Sequence, residues 1–161
     1  MLLNHPIPPL WQKNSKILIL GSFPSVKSRE AMFFYGHPQN RFWKVLASVL
    51  EKDVPATIEA KKAFLQESGI ALWDVIASCD ITGSSDASIK NAVANDISPI
   101  IAGSDIKQIF VNGKTAAALY DKYILPGCKM SAITLPSTSP ANAAWSLERL
   151  TKEWSIIKKH L

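Results

Sequence analysis

Four short apolar runs mark out the chain. They are KILILG at 16–21, GIALWDVI at 69–76, IKQIFVNG at 106–113 and MSAITLP at 130–136. Each run is apolar almost throughout instead of alternating with polar residues, which is typical of strands that are covered on both faces. The pattern therefore predicts four parallel strands.

The segments between these runs have helical patterns. We expect helices at about 39–50, 56–68, 87–102 and 114–122, with a closing helix at 142–160. Strands that alternate with helices predict an α/β fold of three layers, α/β/α, with a central four-stranded parallel sheet. The chain has no internal repeat, low-complexity tract or Pro/Gly linker. We therefore expect one domain over 1–161, in which 1–15 form an N-terminal arm over the surface.

Composition narrows the class of protein. The chain has 161 residues and 47% apolar content, enough for one domain with a core, and its formal charge of +5 favours polyanionic partners. No apolar run reaches the ~18 residues of a membrane span. The N-terminus has no charged leader or A-x-A cleavage site, so we expect a cytoplasmic protein. Cys79 and Cys128 are too few for a disulfide framework, and we expect both to be reduced.

Ligands of such folds gather beyond the carboxyl ends of the strands. This topology selects four segments, which are GSFPS at 21–25, WDVI at 73–76, NGK at 112–114 and LPSTSPAN at 135–142. Ser-Pro turns that lead into helices offer hydroxyls and free backbone N–H groups to a phosphate. The alternative is that Ser25 and Ser139 only cap a turn or a helix.

The stretch FFYGHPQNRFW at 33–43 places five aromatic rings around a polar turn. Pro38 fits the first turn of a helix, and NRFWKVLASVL then forms one apolar stripe that we expect in the core. Asn40 lies about 60° from Trp43 in the first helical turn, at the edge of this stripe, so its amide can point into a crevice. The alternative is a hydrogen bond from Asn40 to the adjacent loop.

Several of these segments resemble the motifs of a known family. GHPQNRFWKVL resembles the signature of the uracil-DNA glycosylase superfamily, in particular its mismatch-specific uracil/thymine branch. ILILGSFPS resembles the first motif of that superfamily, and LPSTSPAN resembles the second, a Pro-Ser loop after the last strand. The likeness covers residues 16–160 and implies a uracil-DNA glycosylase-like fold.

The first motif departs from the family pattern. Most branches place a catalytic Asp, Glu or Asn at its third position, where this chain has Phe23, which cannot position water. The second motif has Leu135 where a His or Asn often precedes the Pro. GSFPS, HPQNRFW, LWDVI, GSSD and LPSTSPAN together are most similar to the hypoxanthine-DNA (deoxyinosine) glycosylase branch. That likeness assigns catalysis to Asn40, as the residue that positions the attacking water.

The resemblance also implies which residues bind a flipped base. Tyr35 is expected to stack on the base, with Phe23 as the opposite apolar wall. Asp74 is expected to accept the N1–H of hypoxanthine, and Gly21 and Ser22 of the first motif belong to the same pocket. The alternatives are a half-buried surface tyrosine at 35 and an aspartate at 74 that caps a turn or pairs with a lysine.

DNA contacts are expected from two sets of residues. Phosphates flanking the base would be held by Ser25, Lys27, Ser28 and Lys114, and the minor groove would be entered by Ser137, Thr138, Ser139 and Pro140.

No Lys lies where a Schiff base would be expected, which predicts a monofunctional enzyme that leaves the abasic site uncut. We expect no metal and no other cofactor. The expected protein is a monomer that acts on double-stranded or single-stranded DNA with a deaminated base.

Other functions stay open at this point. Within the same family, the NRFW likeness permits release of uracil or thymine from mismatches with guanine. A non-catalytic DNA-binding module would bind DNA with salt dependence and release no base. A nucleotide-binding protein is disfavoured because the first loop has no G-x-G-x-x-G or G-K-[ST] cradle. The segment TGSSDASIKNAV at 82–93 contains Asp86 near a predicted helix start, and no mechanical role follows from it.

Overall fold

A computed structural model describes residues 2–161 of the chain. The strands are β1 (Leu2–Asn4), β2 (Ile17–Gly21), β3 (Ile70–Asp74), β4 (Ile76–Asp80), β5 (Lys90–Ala94), β6 (Gln108–Asn112) and β7 (Ala132–Leu135). The α-helices are α1 (Val26–Ala31), α2 (Phe42–Leu50), α3 (Ile58–Ser68), α4 (Ser98–Ala102), α5 (Lys114–Tyr123), α6 (Leu125–Cys128) and α7 (Leu147–Trp154). The described residues also include 3-10 helices at Asp86–Ser88 and Ser155–His160.

The main sheet is parallel and has the strand order β3-β2-β6-β7. Its central strand β2 is buried along its whole length, because successive side chains enter two different cores. Ile17 and Ile19 pack with α2 and α7 on one face, whereas Leu18 and Leu20 pack with α5 on the other. The four predicted strands and the three-layer α/β fold are confirmed.

Local sequence signals define several helix ends. The Thr57 hydroxyl accepts the N–H of Ala60 at the start of α3, and Gly69 ends that helix with a positive φ of 73°. The predicted helices at 56–68 and 114–122 are confirmed, and the closing helix begins later than predicted, after its cap Ser146. Among residues 2–161, none of the helices combines the length and apolar character that crossing a bilayer requires.

The helix predicted at 87–102 is wrong. This segment forms a 3-10 turn, then β5, and only its last residues form α4. Asn91 has a positive φ of 54°, which interrupts any helix there, and Ile89, Ala92 and Ala94 pack against the second core. Pairing of β5 with β4 therefore overrides the local helical pattern.

A second, antiparallel sheet has the order β1-β4-β5 and was not predicted. The strand β4 follows β3 after Val75 alone, so one apolar run supplies strands to both sheets. The predicted surface arm is also wrong for residues 2–10. Its first residues form the edge strand β1 on β4, Ile7 is buried, and Leu10 exchanges backbone hydrogen bonds with Leu72.

Candidate active site

A crevice of about 300 Å³ opens beyond the carboxyl ends of the parallel strands. All four segments that topology selected contribute to its lining, together with the turn that precedes α2. Residues on its wall include Gly21, Phe23, Tyr35, Asn40, Asp74 and Asn112. The crevice therefore brings together side chains that lie far apart in sequence.

Asn40 lies in the turn before α2, and not in the first helical turn as predicted. Its Oδ1 accepts two hydrogen bonds of 2.9 Å, one from the backbone N–H of Phe42 and one from the hydroxyl of Thr138. A backbone N–H can only donate, so this contact assigns Oδ1 and Nδ2 unambiguously. Nδ2 has no hydrogen-bond partner within residues 2–161. Asn40 thus presents a free donor where it lines the crevice.

Thr138 connects Asn40 to a second amide. Its backbone N–H donates to Oδ1 of Asn112 over 3.1 Å, and Nδ2 of Asn112 donates to the Thr138 hydroxyl over 3.0 Å. The hydroxyl proton is therefore directed at Asn40. Thr138 is fully buried with its hydroxyl engaged on both sides, so the prediction that it contacts DNA is wrong, and it acts as a positioning residue.

Arg41 anchors the loop that follows β7. Its guanidinium donates to the backbone carbonyls of Ser139 at 3.1 Å, Asn142 at 3.0 Å, and Trp145, and its backbone N–H donates to the carbonyl of Thr138. Five donors in a rigid fork suit such a cluster of carbonyls. The loop that carries Thr138 is therefore fixed to the start of α2.

Tyr35 stacks on Phe42 with ring centroids 3.9 Å apart and planes 14° apart. One ring face is thus covered by protein, and only the other is available to a ligand. Its buried hydroxyl has no hydrogen-bond partner of normal geometry among residues 2–161, and a Cβ at Gly21 would lie 3.1 Å from it. Burial, with the nearby Asp74 charge as a second cause, raises the pKa of the Tyr35 phenol far above its ordinary range. Tyr35 therefore stays protonated.

Phe23 lies on the crevice wall and is 7% exposed. Its ring meets the imidazole of His5 edge-on, with centroids 5.8 Å apart, and the guanidinium of Arg29 lies 5.7 Å from its centroid. The residue at the third position of the first motif is therefore an apolar wall that packs against His5 and Arg29.

Asp74 is paired with a residue that sequence analysis did not select. Nε2 of His5 donates to Oδ2 of Asp74 over 2.7 Å, and both side chains are buried. The other carboxylate oxygen, Oδ1, lies against Gly21, where an added Cβ would approach it to 2.5 Å. The alternative in which Asp74 caps a turn or pairs with a lysine is wrong, because a histidine from the N-terminal segment is its partner.

A second carboxylate lies in the crevice. The hydroxyl of Ser22 donates to Oδ1 of Asp86 over 2.7 Å. Desolvation of the carboxylate raises the pKa of Asp86, the Asp74 charge adds to this, and the Ser22 hydrogen bond opposes it. The segment around Asp86 is docked on α1, where the hydroxyl of Ser84 accepts the N–H of Val26 over 2.9 Å.

This geometry can be compared with known proteins. The family model described as the uracil DNA glycosylase superfamily matches residues 8–159. The chain belongs to this superfamily. The family predicted from the motifs is therefore confirmed.

Relatives within the superfamily cover most or all of the chain. A protein of Methanosarcina acetivorans named hypoxanthine DNA glycosylase is 31% identical, and the match covers 99% of this chain and 100% of the relative. A protein of Methanosarcina barkeri with the same name is 34% identical over 66% of this chain and 69% of the relative. A solution NMR structure from M. acetivorans, described as a candidate uracil DNA glycosylase, superposes with a TM-score of 0.83. It is 31% identical and covers 99% of this chain and 98% of that one.

Of the residues predicted to contact DNA, some are buried in the fold and others are exposed or line the crevice. Ser28 is 2% exposed and accepts the N–H of Gly36 over 2.9 Å, so a phosphate cannot reach it and that prediction is wrong. Lys27 is exposed beside Glu30 in α1, and Lys114 is exposed at the start of α5. Ser25, Ser137, Ser139 and Pro140 line the crevice, and the three hydroxyls accept N–H groups of their own loops.

Sequence reasoning missed several residues that the superfamily fold brings to the site. Asn112 ends a predicted strand next to Gly113, whose φ is 99°, and belongs to the NGK segment at 112–114, of which only Lys114 was predicted to contact DNA. His5 follows a period-two pattern with Leu3 and Ile7 that indicates an inward side chain. Within residues 2–161, no three His, Cys, Asp or Glu side chains are grouped in a way that would hold a metal ion.

Proposed function

We propose that this protein is a monofunctional DNA glycosylase that removes hypoxanthine from deoxyinosine as the first step of base excision repair. The observation that carries the proposal is the Asn40 amide, whose Nδ2 donor is free at the crevice while its Oδ1 is occupied. The relatives named hypoxanthine DNA glycosylase, one of which matches over its full length, support the choice of base.

The reaction needs few groups from the protein. The C1′–N9 bond breaks with its electron pair moving to the base, the sugar becomes oxocarbenium-like, and a water oxygen forms the new bond to C1′. The proton that this water loses ends on the departing base. Asn40 holds the oxygen of that water from Nδ2, and no strong base is required because the sugar is already electrophilic. Phe23 leaves the customary acidic position without charge.

The flipped base would occupy the crevice between aromatic walls. The free face of Tyr35 stacks on the base, and Phe23 closes the apolar side. Oδ1 of Asp74 accepts the N1–H of hypoxanthine, because Oδ2 is already bonded to His5. Gly21 and Ser22 form the floor beside that carboxylate.

The DNA backbone would lie across the rim of the crevice. Lys27 and Lys114 supply positive charge. The hydroxyls of Ser25, Ser137 and Ser139, together with Pro140, line the path of the DNA strand that carries the flipped nucleotide. We propose that the protein acts as a monomer on double-stranded DNA in the cytoplasm. Binding should weaken steeply with salt, as phosphate contacts do.

Uracil release is the second candidate. The neighbouring NMR structure is described as a candidate uracil DNA glycosylase, and an acceptor at Asp74 would also suit the N3–H of uracil.

A panel of duplexes decides between these functions. Each duplex carries one deoxyinosine, deoxyuridine, deoxyxanthosine or G·T mismatch, and single-turnover base release is measured for wild type and Asn40→Ala. We expect wild type to release hypoxanthine fastest, and Asn40→Ala to bind the duplex but release no base. A near-normal rate of base release by Asn40→Ala would contradict the catalytic role of Asn40. A covalent DNA adduct trapped by borohydride would contradict the monofunctional mechanism.

A further inference from the structure

The N-terminal segment places the His5 side chain against Asp74, beneath the crevice. The ladder between β1 and β4 continues with the N–H of His5, which donates to the carbonyl of Ala77 over 2.7 Å. Trp73 Nε1 donates to the carbonyl of Ile7 over 3.3 Å, and Ile7 itself is buried. The His5 ring therefore has a fixed position beneath the crevice. Its side chain is 4% exposed and does not line the crevice, so it acts on the site through Asp74.

The hydrogen bonds of His5 define its tautomer. The backbone N–H of Ile7 donates to Nδ1 over 3.2 Å, so Nδ1 is an acceptor and carries no proton. Nε2 then carries the proton and donates it to Oδ2 of Asp74. Both ring nitrogens are committed, and the imidazole cannot turn over without losing both contacts.

This arrangement controls which atom of Asp74 meets a ligand. Oδ2 is held by His5, and Oδ1 remains on the side of Gly21 and the crevice. A carboxylate oxygen accepts hydrogen bonds and cannot donate them. Hypoxanthine carries a proton on N1, whereas adenine has a bare N1 that would face the Asp74 oxygen lone pair to lone pair.

We propose that His5 is a positioning residue that sets base specificity, since it locks Asp74 with an acceptor toward the crevice and thereby favours bases with an N–H at that edge over adenine. This inference rests on the proposed glycosylase function. The family model match begins at residue 8, so the segment that carries His5 lies outside the matched region.

Two isosteric variants test the inference. Glutamine places its amide nitrogen near the position of Nε2, whereas asparagine reaches only the position of Nδ1. We expect His5→Gln to keep single-turnover release of hypoxanthine within about threefold of wild type, and His5→Asn to slow it on the order of tenfold to a hundredfold. Duplex affinity should stay unchanged in both. His160→Asn, which alters a histidine packed on Phe110, is the matched control and should behave as wild type.

Asp74→Asn provides a variant of the same shape. The donor at His5 forces the new amide oxygen to face the imidazole, so an NH₂ group replaces the acceptor at the crevice. We expect this variant to fold with the wild-type thermal midpoint to within a few degrees and to lose hypoxanthine release. Wild-type release by a folded His5→Asn or Asp74→Asn would overturn the inference.

A measurement without turnover separates the two proposals. The ¹⁵N resonances of the His5 ring report the tautomer directly, and we expect a protonated Nε2 and an unprotonated Nδ1. A protonated Nδ1 would overturn the role of His5 even in an active enzyme. If the tautomer is as expected but wild type releases no hypoxanthine, the proposed glycosylase function is wrong. The role of His5 in base specificity, which rests on that function, is then wrong as well.

Discussion

The hydroxyl of Thr138 donates to Oδ1 of Asn40 over 2.9 Å, although the two residues are 98 positions apart in the sequence. With the N–H of Phe42 on the same oxygen, both lone pairs of the Asn40 carbonyl are used. The orientation of this amide is thus decided by two other segments of the chain. What the amide can do at the crevice follows from that orientation.

Asn40→Asp tests whether the free donor is the functional group. Aspartate keeps an acceptor for Phe42 and Thr138 but replaces Nδ2 by an oxygen. We expect single-turnover release of hypoxanthine to fall about a hundredfold, equivalent to ~3 kcal/mol of barrier, because no hydrogen bond can be donated. Asn14→Asp adds the same charge on an exposed turn and should leave the rate unchanged. A rate near that of wild type would mean that Asn40 acts as an acceptor.

Thr138→Val and Thr138→Ser separate the hydroxyl from the shape of the side chain. Valine removes the acceptor of the Asn112 Nδ2 donor and leaves Asn40 Oδ1 held by the N–H of Phe42 alone, so the amide is less firmly oriented. We expect it to lower the free energy of unfolding by about 1–3 kcal/mol and the rate of base release on the order of tenfold. Serine keeps the hydroxyl and should retain most of the rate. Equal rates for the two variants would show that the hydroxyl does not orient Asn40.

Gly21→Ala tests the close packing of the pocket floor. The added Cβ would lie 2.5 Å from Oδ1 of Asp74, so the carboxylate must move. We expect a loss of about 1–3 kcal/mol in stability and a strong loss of base release. Gly127→Ala adds the same methyl group where, among residues 2–161, no atom beyond the neighbouring residues and backbone of its own helix lies within 4 Å, and it should be neutral or slightly stabilising. Thermal unfolding and single-turnover assays of both variants measure the difference.

Asp86→Asn is expected to raise the stability of the fold by an amount that depends on pH. The pKa of Asp86 is raised in the folded protein, chiefly by desolvation, so its ionised form is less favourable there than in the unfolded chain. Asparagine should therefore raise the unfolding midpoint near pH 7, and the gain should vanish below about pH 4, where the carboxyl group is protonated in both states.

Asp96→Asn is the control of opposite sign for that experiment. The hydroxyl and the N–H of Ser98 lower the pKa of Asp96, so its carboxylate stabilises the fold at neutral pH. Loss of this carboxylate should lower the midpoint near pH 7 and have little effect once acid has protonated it. The same sign of change for both variants at pH 7 would contradict the assigned environments.

The main sheet was predictable because its four strands are apolar throughout. The second sheet was not, because β5 (Lys90–Ala94) has polar and apolar residues that also fit a helix, and its strand state depends on pairing with β4 (Ile76–Asp80). Similarly, Pro38 and Asn40 read as a first helical turn, whereas the structure has a separate turn closed by the N–H of Asn40 on the carbonyl of His37.

The sequence alone was sufficient to identify the four strands, the family and several of the residues that line the crevice, because the hydrophobic pattern and the spacing of motifs are local properties of the chain. The tertiary structure decided what those side chains offer. The free donor of Asn40 depends on Thr138, and the free acceptor of Asp74 depends on His5, 69 positions away. A hydrogen bond of a side chain takes its direction from its partner, and a partner that distant is specified only when the strands have assembled.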